Sequence, residues 1–354
     1  MAEASLETGN PLILALVLSG VSNMYHVCIS GRSVDGSKLE AAREVRGFVP
    51  EGKQTLIRAS ESESALVRYL WGASNFFQST KLSGIGIMER GRKRSLSKTM
   101  LQDTVVIYGV GRGLHVPSAS PFPLKLETFC RLAQIPYRVD HSAQMSSKGK
   151  TPWMMYNGRA VADSQFCIEH LKAERDLDLD LDLSPTLRAQ ARAFRALIEE
   201  NLYWTMCYEL FILNPKRLDE VLPYRGPKMW LLKFFLSRVL RKELWNQGIG
   251  RHSDEEIWDI GRRDLNAISD FLAEKKFFLG DTPTEVDCTV FGMMTQVLFH
   301  MPGCRHQTHV RQNLPNIVAY VERMKTRVWP DWEERCKGSN YVDDSNMLFP
   351  AQKF

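Results

Sequence analysis

No stretch of this 354-residue chain reaches the roughly 20 consecutive apolar residues that a membrane-spanning helix needs. The nearest approach is PLILALVL at 11–18, which Ser19, Ser22 and Asn23 interrupt. The residues before it carry Glu3 and Glu7 and no Lys or Arg, whereas an export signal begins with positive charge. Export is therefore not expected, and this run leaves membrane association open. Paired cysteines are also lacking: the seven present (Cys28, Cys130, Cys167, Cys207, Cys288, Cys304, Cys336) are odd in number and scattered. Most sit inside apolar helical patterns, where a free thiol packs as a small hydrophobe, so a reducing, cytoplasmic setting fits best. A large charge excess is absent too. The net charge is +5, and no cluster of aromatics interleaves with Lys and Arg, so no nucleic-acid partner is expected.

What remains is the composition of a soluble globular protein, 44% apolar and 25% charged, at a length that suggests two domains plus tails. Residues 1–103 read as a disordered extension. SESES at 60–64 and ERGRKRSLSK at 89–98 look solvated, with one apolar patch at Tyr69, Leu70, Trp71, Phe76 and Phe77. The texture changes at residue 104. TVVIY (104–108) reads as a buried strand, and after a Gly-rich loop Ser120 and Pro121 open a helix carrying Leu124, Phe129 and Leu132. Pro136 ends that helix and YRV (137–139) supplies a second strand. WMMY and RAV flank Asn157-Gly158, the strongest short hairpin signal, and Ser164 opens a helix with Phe166, Ile168 and Leu171 apolar. The order β-α-β, linker, β-β-α over 104–175 is that of a thioredoxin-like domain. DLDLDLDL at 176–183 reads as an acidic linker with its leucines on the surface. Residues 184–336 are helical in period, at about 185–213, 223–246, 253–275, 285–300 and 314–327, with a tail at 337–354. The expected fold is thus α/β followed by all-α, a glutathione-transferase-like arrangement.

Several positions carry chemistry. Thr151-Pro152 opens the third strand. If that bond is cis, Thr151 presents its backbone to a peptide-like ligand; the alternative is an ordinary trans proline. Asp163-Ser164 lies at a helix start, where N–H groups and the dipole favour a carboxylate, or where Ser164 merely caps. Ser118 and Ser120 precede the first helix, where a hydroxyl can hold a thiolate, or again only cap. Tyr108 is a second hydroxyl donor, or a core residue. Thr284 to Asp287 forms a structural capping box. Cys304, His306 and His309 lack a paired fourth ligand, so no metal is expected. Tyr203, Trp204, Trp230, Trp245, Trp258 and Trp329 read as core and interdomain packing rather than as a binding cage.

The segments SPFPLKLET, KGKTPWMMYNG, VADSQFCIEHL, ENLYWT, GIGRHSDEEI, FLGDTPTEVDCTVFG and LPNIVAYVERMKTRVWPDW resemble, from about Thr104 to Trp332, the failed axon connections family. That family lies within the broader metaxin and glutathione-transferase-like group, which also holds cadmium-responsive proteins of nematodes. The resemblance places Ser120 where omega-type transferases keep a catalytic cysteine, Thr151-Pro152 at the cis-proline site, and Asp163-Ser164 at the γ-glutamyl site. It implies glutathione as the ligand. Relatives commonly have cysteine where this chain has Pro123, which argues against disulfide chemistry there. Two functions follow. One is an interaction or adaptor protein, linked by resemblance to axon development or stress response, with a protein partner or a second copy of the chain. The other is a transferase that conjugates glutathione to small electrophiles, with Ser120, Ser118 or Tyr108 holding the thiolate and the electrophile near Tyr203 to Tyr208.

Overall fold

Four short strands and two helices make the first half of the fold. The computed structural model describes residues 103–149, 151–222 and 225–337. The expectations for the N-terminal extension, its apolar run at 11–18, its aromatic patch and the tail lie outside the described residues. Strand β1 (Val105–Tyr108), helix α1 (Pro121–Leu132), β2 (Tyr137–Asp140), β3 (Trp153–Tyr156), β4 (Arg159–Ala162) and α2 (Ser164–Arg175) follow in the order the sequence implies. The sheet order is β2-β1-β3-β4, with β1 and β2 parallel and the other two pairs antiparallel. Asn157 and Gly158 take φ of 45° and 84°, the left-handed pair that a two-residue hairpin turn needs. Ile107 faces Met154 across the sheet, and both are fully buried beside Leu126, Phe129, Ile168 and Leu171 from α1 and α2. Phe166 departs from the expected apolar face: it is 54% exposed.

The second half is helical. A continuous helical run, α3, comprises Pro185–Ala196, Leu197–Leu202, Tyr203–Cys207 and Tyr208–Leu213. Its second and fourth pieces are π-helical, each wider by one residue per turn. Then come α4 (Gly226–Gln247), α5 (Asp254–Leu272), α6 (Glu285–Phe299), α7 (Arg305–Asn313), α8 (Pro315–Val328) and α9 (Trp332–Lys337). Helices α7 and α9 escape the periodicity because they are short and polar. Helix α6 is buried along nearly its whole length and packs directly on α1. Gly292 makes that approach possible: a Cβ there would lie 2.9 Å from the Pro121 carbonyl oxygen.

Two expectations need correction. The DLDLDLDL segment is no passive linker. Leu177 and Leu179 pack on the sheet core, Asp178 pairs with Lys172 and Arg188, and Asp180 accepts from the Glu285 N–H at the start of α6. Of its leucines, Leu181 alone stands out in solvent, at 74% exposure. Partial burial of those leucines brings Asp178 and Asp180 towards the fold, where cations and an N–H meet them. Among the tryptophans, Trp204 and Trp329 are core residues as expected, but Trp230 and Trp245 are 64% and 58% exposed.

Glu127 gives the fold a pH-dependent element. It is 3% exposed on α1, and its Oε1 has no hydrogen-bond partner. Burial pushes its carboxyl up to about 7, with Arg131, Arg335 and Arg112 pulling the other way. A raised folded-state value means the folded protein holds the extra proton. Stability from this group is therefore full below about pH 4.5 and is lost as pH rises through about 7. Glu127→Gln is expected to flatten this limb, raising stability at pH 8 relative to pH 5 by about 1–3 kcal/mol compared with the parent. Urea titrations at the two pH values measure it, and an unchanged slope would show that Glu127 is not the source.

Candidate functional site

A cleft of about 470 Å³ lies between the sheet half and α3. Its sheet-side wall is built by local rules. Thr151-Pro152 leads into β3 with a cis peptide bond. Thr151 is 3% exposed, and its Oγ1 is buried without a hydrogen-bond partner. Asp163, not Ser164, is the N-cap of α2: its Oδ1 accepts from the Gln165 N–H at 3.1 Å, and its φ is 85°. Ser164 is the first helical residue and is buried. Thr151, Pro152, Asp163 and Ser164, at the two ends of one hairpin, therefore line one cavity.

Helix α3 forms the opposite wall. Its π turn at Leu197–Leu202 brings Glu199 and Glu200 to the same cavity as Arg192, Arg195 and Tyr203. Beneath, Lys125 donates to Gln165 Oε1 at 2.8 Å and to Glu199 Oε1 at 2.6 Å, and Thr289 also donates to Glu199. Gln165 donates in turn to Glu285, which pairs with Lys172. This part-buried network ties α1, α2, α3 and α6 together. Glu199 is neutralised within it. Arg192 and Arg195, by contrast, have no ion-pair partner among the described residues. Two guanidiniums and a helix N-terminus can take up a carboxylate.

The structure separates the hydroxyl candidates from this cleft. Ser120 is the residue before α1, yet its side chain makes no cap; its N–H donates to Ser118 Oγ at 3.3 Å. Ser120 instead lines a second cavity of about 60 Å³ with Tyr203, Cys207, Gln296 and His300. Ser118 is 1% exposed, and its carbonyl accepts from Gln296. Tyr108 stacks on Trp153, ring centroids 3.9 Å apart. None of the three is among the residues lining the larger cleft. Phe122 and Tyr203, edge to face at 5.0 Å, stand between the two spaces; Phe122 lines the larger and Tyr203 lines both. Burial pushes the Cys207 thiol up to about 12 and the His300 imidazole down to about 4. Neither a ready thiolate nor an imidazolium faces Ser120.

Cys304, His306 and His309 are not among the residues lining either cavity. Cys304 precedes α7, His306 bonds Glu209 and Thr205, and His309 bonds Asn266. Sequence reasoning missed Arg192, Arg195 and Lys125; the helical period alone marks them as surface residues. It also missed the Phe122–Tyr203 pair.

Comparison with known proteins agrees with this architecture. Residues 121–217 match the model of the glutathione S-transferase N-terminal domain, and residues 261–324 that of the C-terminal domain. Failed axon connections of Drosophila melanogaster is 33% identical over 69% of this chain, which spans 63% of that protein. The isoprene-epoxide–glutathione S-transferase of Rhodococcus is 32% identical over 62% of this chain and 98% of its own length. Mouse metaxin-1 is 26% identical, over 62% of this chain and 73% of its own. Among solved structures, a beta-etherase from Sphingobium aligns over 66% of this chain and 99% of its own, with 15% identity and a TM-score of 0.46.

Proposed function

The chain belongs to the glutathione S-transferase family, among members similar to failed axon connections and the metaxins, and from that premise we propose that it works by binding rather than by conjugation. In this reading it is an interaction or adaptor protein whose residues 104–175 and 184–336 are the two domains. The larger cleft recognises a γ-glutamyl or similar peptide end. Thr151 faces the ligand's backbone, the start of α2 at Asp163-Ser164 takes an α-carboxylate, and Arg192 and Arg195 offset the charge. Glutathione fits this donor set, and its amide groups would meet the orphaned Thr151 hydroxyl. One observation carries the choice against catalysis. Ser120, Ser118 and Tyr108 all lie outside the lining of the cleft that holds Thr151 and Ser164, so none of the three hydroxyls expected to hold a thiolate meets a thiol bound there.

A second reading, a transferase, is supported by the similarity to a protein that conjugates an isoprene epoxide, and by a Ser120 hydroxyl not used as a cap. One pair of measurements separates them. Glutathione at about ten times its Kd is expected to stabilise the chain by about 1.4 kcal/mol, a thermal shift of a few degrees. The shift should vanish in the double variant Arg192→Ala, Arg195→Ala. Conjugation of 1-chloro-2,4-dinitrobenzene should stay at the uncatalysed rate. Turnover above background that Ser120→Ala removes would establish the transferase instead, and absence of any thermal shift would remove glutathione from both readings.

A further inference from the structure

Helix α4 carries two apolar stripes where folding needs only one. Met229, Leu232, Leu236, Leu240 and Leu244 are 0–3% exposed and pack into the helical core. Trp230, Phe234, Arg238, Arg241 and Trp245 are all exposed. At about 100° per residue these five fall within an arc of about 80° on the side away from the core. Trp230 and Phe234 stack, centroids 5.7 Å apart and 12° from parallel. Arg238 lies 4.6 Å over the Phe234 ring, and Arg251, just past the helix, lies 5.7 Å from Trp245. Three large aromatics held in water at 64%, 41% and 58% exposure are an unusual patch for a folded surface.

The charge around the strip decides what covers it. Lys242 is exposed beside Arg241, while Glu243, the one acid of the helix, is 5% exposed and turned inward. An interfacial helix of this kind carries aromatics that enter the headgroup boundary and cations that meet anionic headgroups. Tryptophan at both ends suits that boundary, because its ring is apolar and its N–H stays wet. We propose that α4 is a membrane-docking face, lying flat on an anionic bilayer with Trp230, Phe234 and Trp245 inserted and Arg241 and Lys242 on the headgroups. No described helix is long and apolar enough to cross a membrane, so this is attachment to a surface.

The test uses the full chain and sedimentation with vesicles. Binding to phosphatidylcholine containing about 30 mol% phosphatidylserine should be at least about tenfold tighter than to phosphatidylcholine alone, and should weaken as salt rises. Trp230→Ser with Trp245→Ser should cost about tenfold or more, and Arg241→Glu with Lys242→Glu should abolish the preference for the anionic lipid. These side chains are exposed, so the thermal midpoint should not move. Quenching of parent fluorescence by brominated lipid, lost in the Trp double variant, provides a second readout. If the variants bind as the parent does, attachment runs through another segment, such as residues 11–18, and the proposal is wrong. It is equally wrong if the parent binds neither vesicle, which would leave the strip to a protein partner, or binds both equally.

Discussion

Asp287→Ala is expected to lower the stability of the folded unit by about 3–5 kcal/mol, which for a unit of this size means a fall in thermal midpoint of about 10 °C or more. Asp287 is fully buried at the start of α6. Its Oδ2 accepts from the Thr284 N–H at 2.8 Å and the Thr284 hydroxyl at 2.9 Å. Its Oδ1 accepts from the Phe278 N–H at 2.8 Å and the Tyr320 hydroxyl at 2.9 Å. Alanine leaves three donors without an acceptor in a place water does not reach, the Tyr320 hydroxyl keeping only its 3.3 Å bond to the residue 287 carbonyl, and each orphan costs about 1–3 kcal/mol before relaxation. The damage also spreads. Helix α6 presents Glu285 to Gln165 and Lys172, Thr289 to Glu199, and Gly292 to α1. Fraying its first turn therefore loosens the cleft wall. Asp287→Asn keeps one carbonyl acceptor and should lose about half as much. Urea unfolding of the three proteins decides it, and a loss under about 1 kcal/mol for alanine would mean that the network carries little stability.

How much of this could be read from the residues depends on the range of the forces involved. The Asn157-Gly158 turn, the Pro152-led strand and the Thr284–Asp287 box are each specified by two to four neighbouring residues, and the structure shows all three. The continuous helix from Pro185 is legible for the same reason, although its π turns leave no mark in the periodicity. Ser120 illustrates the limit. Its place before a helix is a local fact, but the cavity it lines is shared with Tyr203, a residue some eighty positions away. The exposed Trp230 and Trp245 fail the expectation differently. Large aromatics are core by default, and here the leucines of the opposite stripe already fill the core. Leu177 and Leu179 fail it in reverse: alternating acids look solvated until Lys172, Arg188 and the Glu285 N–H supply partners.

Arg131 is the case in which range matters most, and its replacement should rival that of Asp287. At the end of α1 it is 5% exposed, and it meets residues about two hundred positions away. Nε donates to the Tyr137 hydroxyl at 2.7 Å, and Nη1 to the Val328 carbonyl at 3.1 Å. Nη1 and Nη2 clasp the Asp331 carboxylate at 2.6 and 3.0 Å, and the guanidinium lies 3.7 Å from the Trp329 ring centroid. One side chain thus joins α1 and β2 to the turn between α8 and α9. Arg131→Ala strands Asp331 with only Arg335 and is expected to cost about 3–5 kcal/mol. Arg131→Lys should recover less than half of that, because a point charge cannot replace a planar fork with donors in three directions. Acid supplies a sharper test. Burial alone would raise the Asp331 carboxyl, but hydrogen bonds and charge from Arg131 and then Arg335 hold it down to about 2. A depressed value means its stabilisation is present at neutral pH and is lost as pH falls from about 4 through about 2. The parent should therefore lose stability steeply over that window, and the alanine variant, already without the pair, should lose much less. Parallel acid limbs in the two proteins would show that the clasp does not hold the halves together.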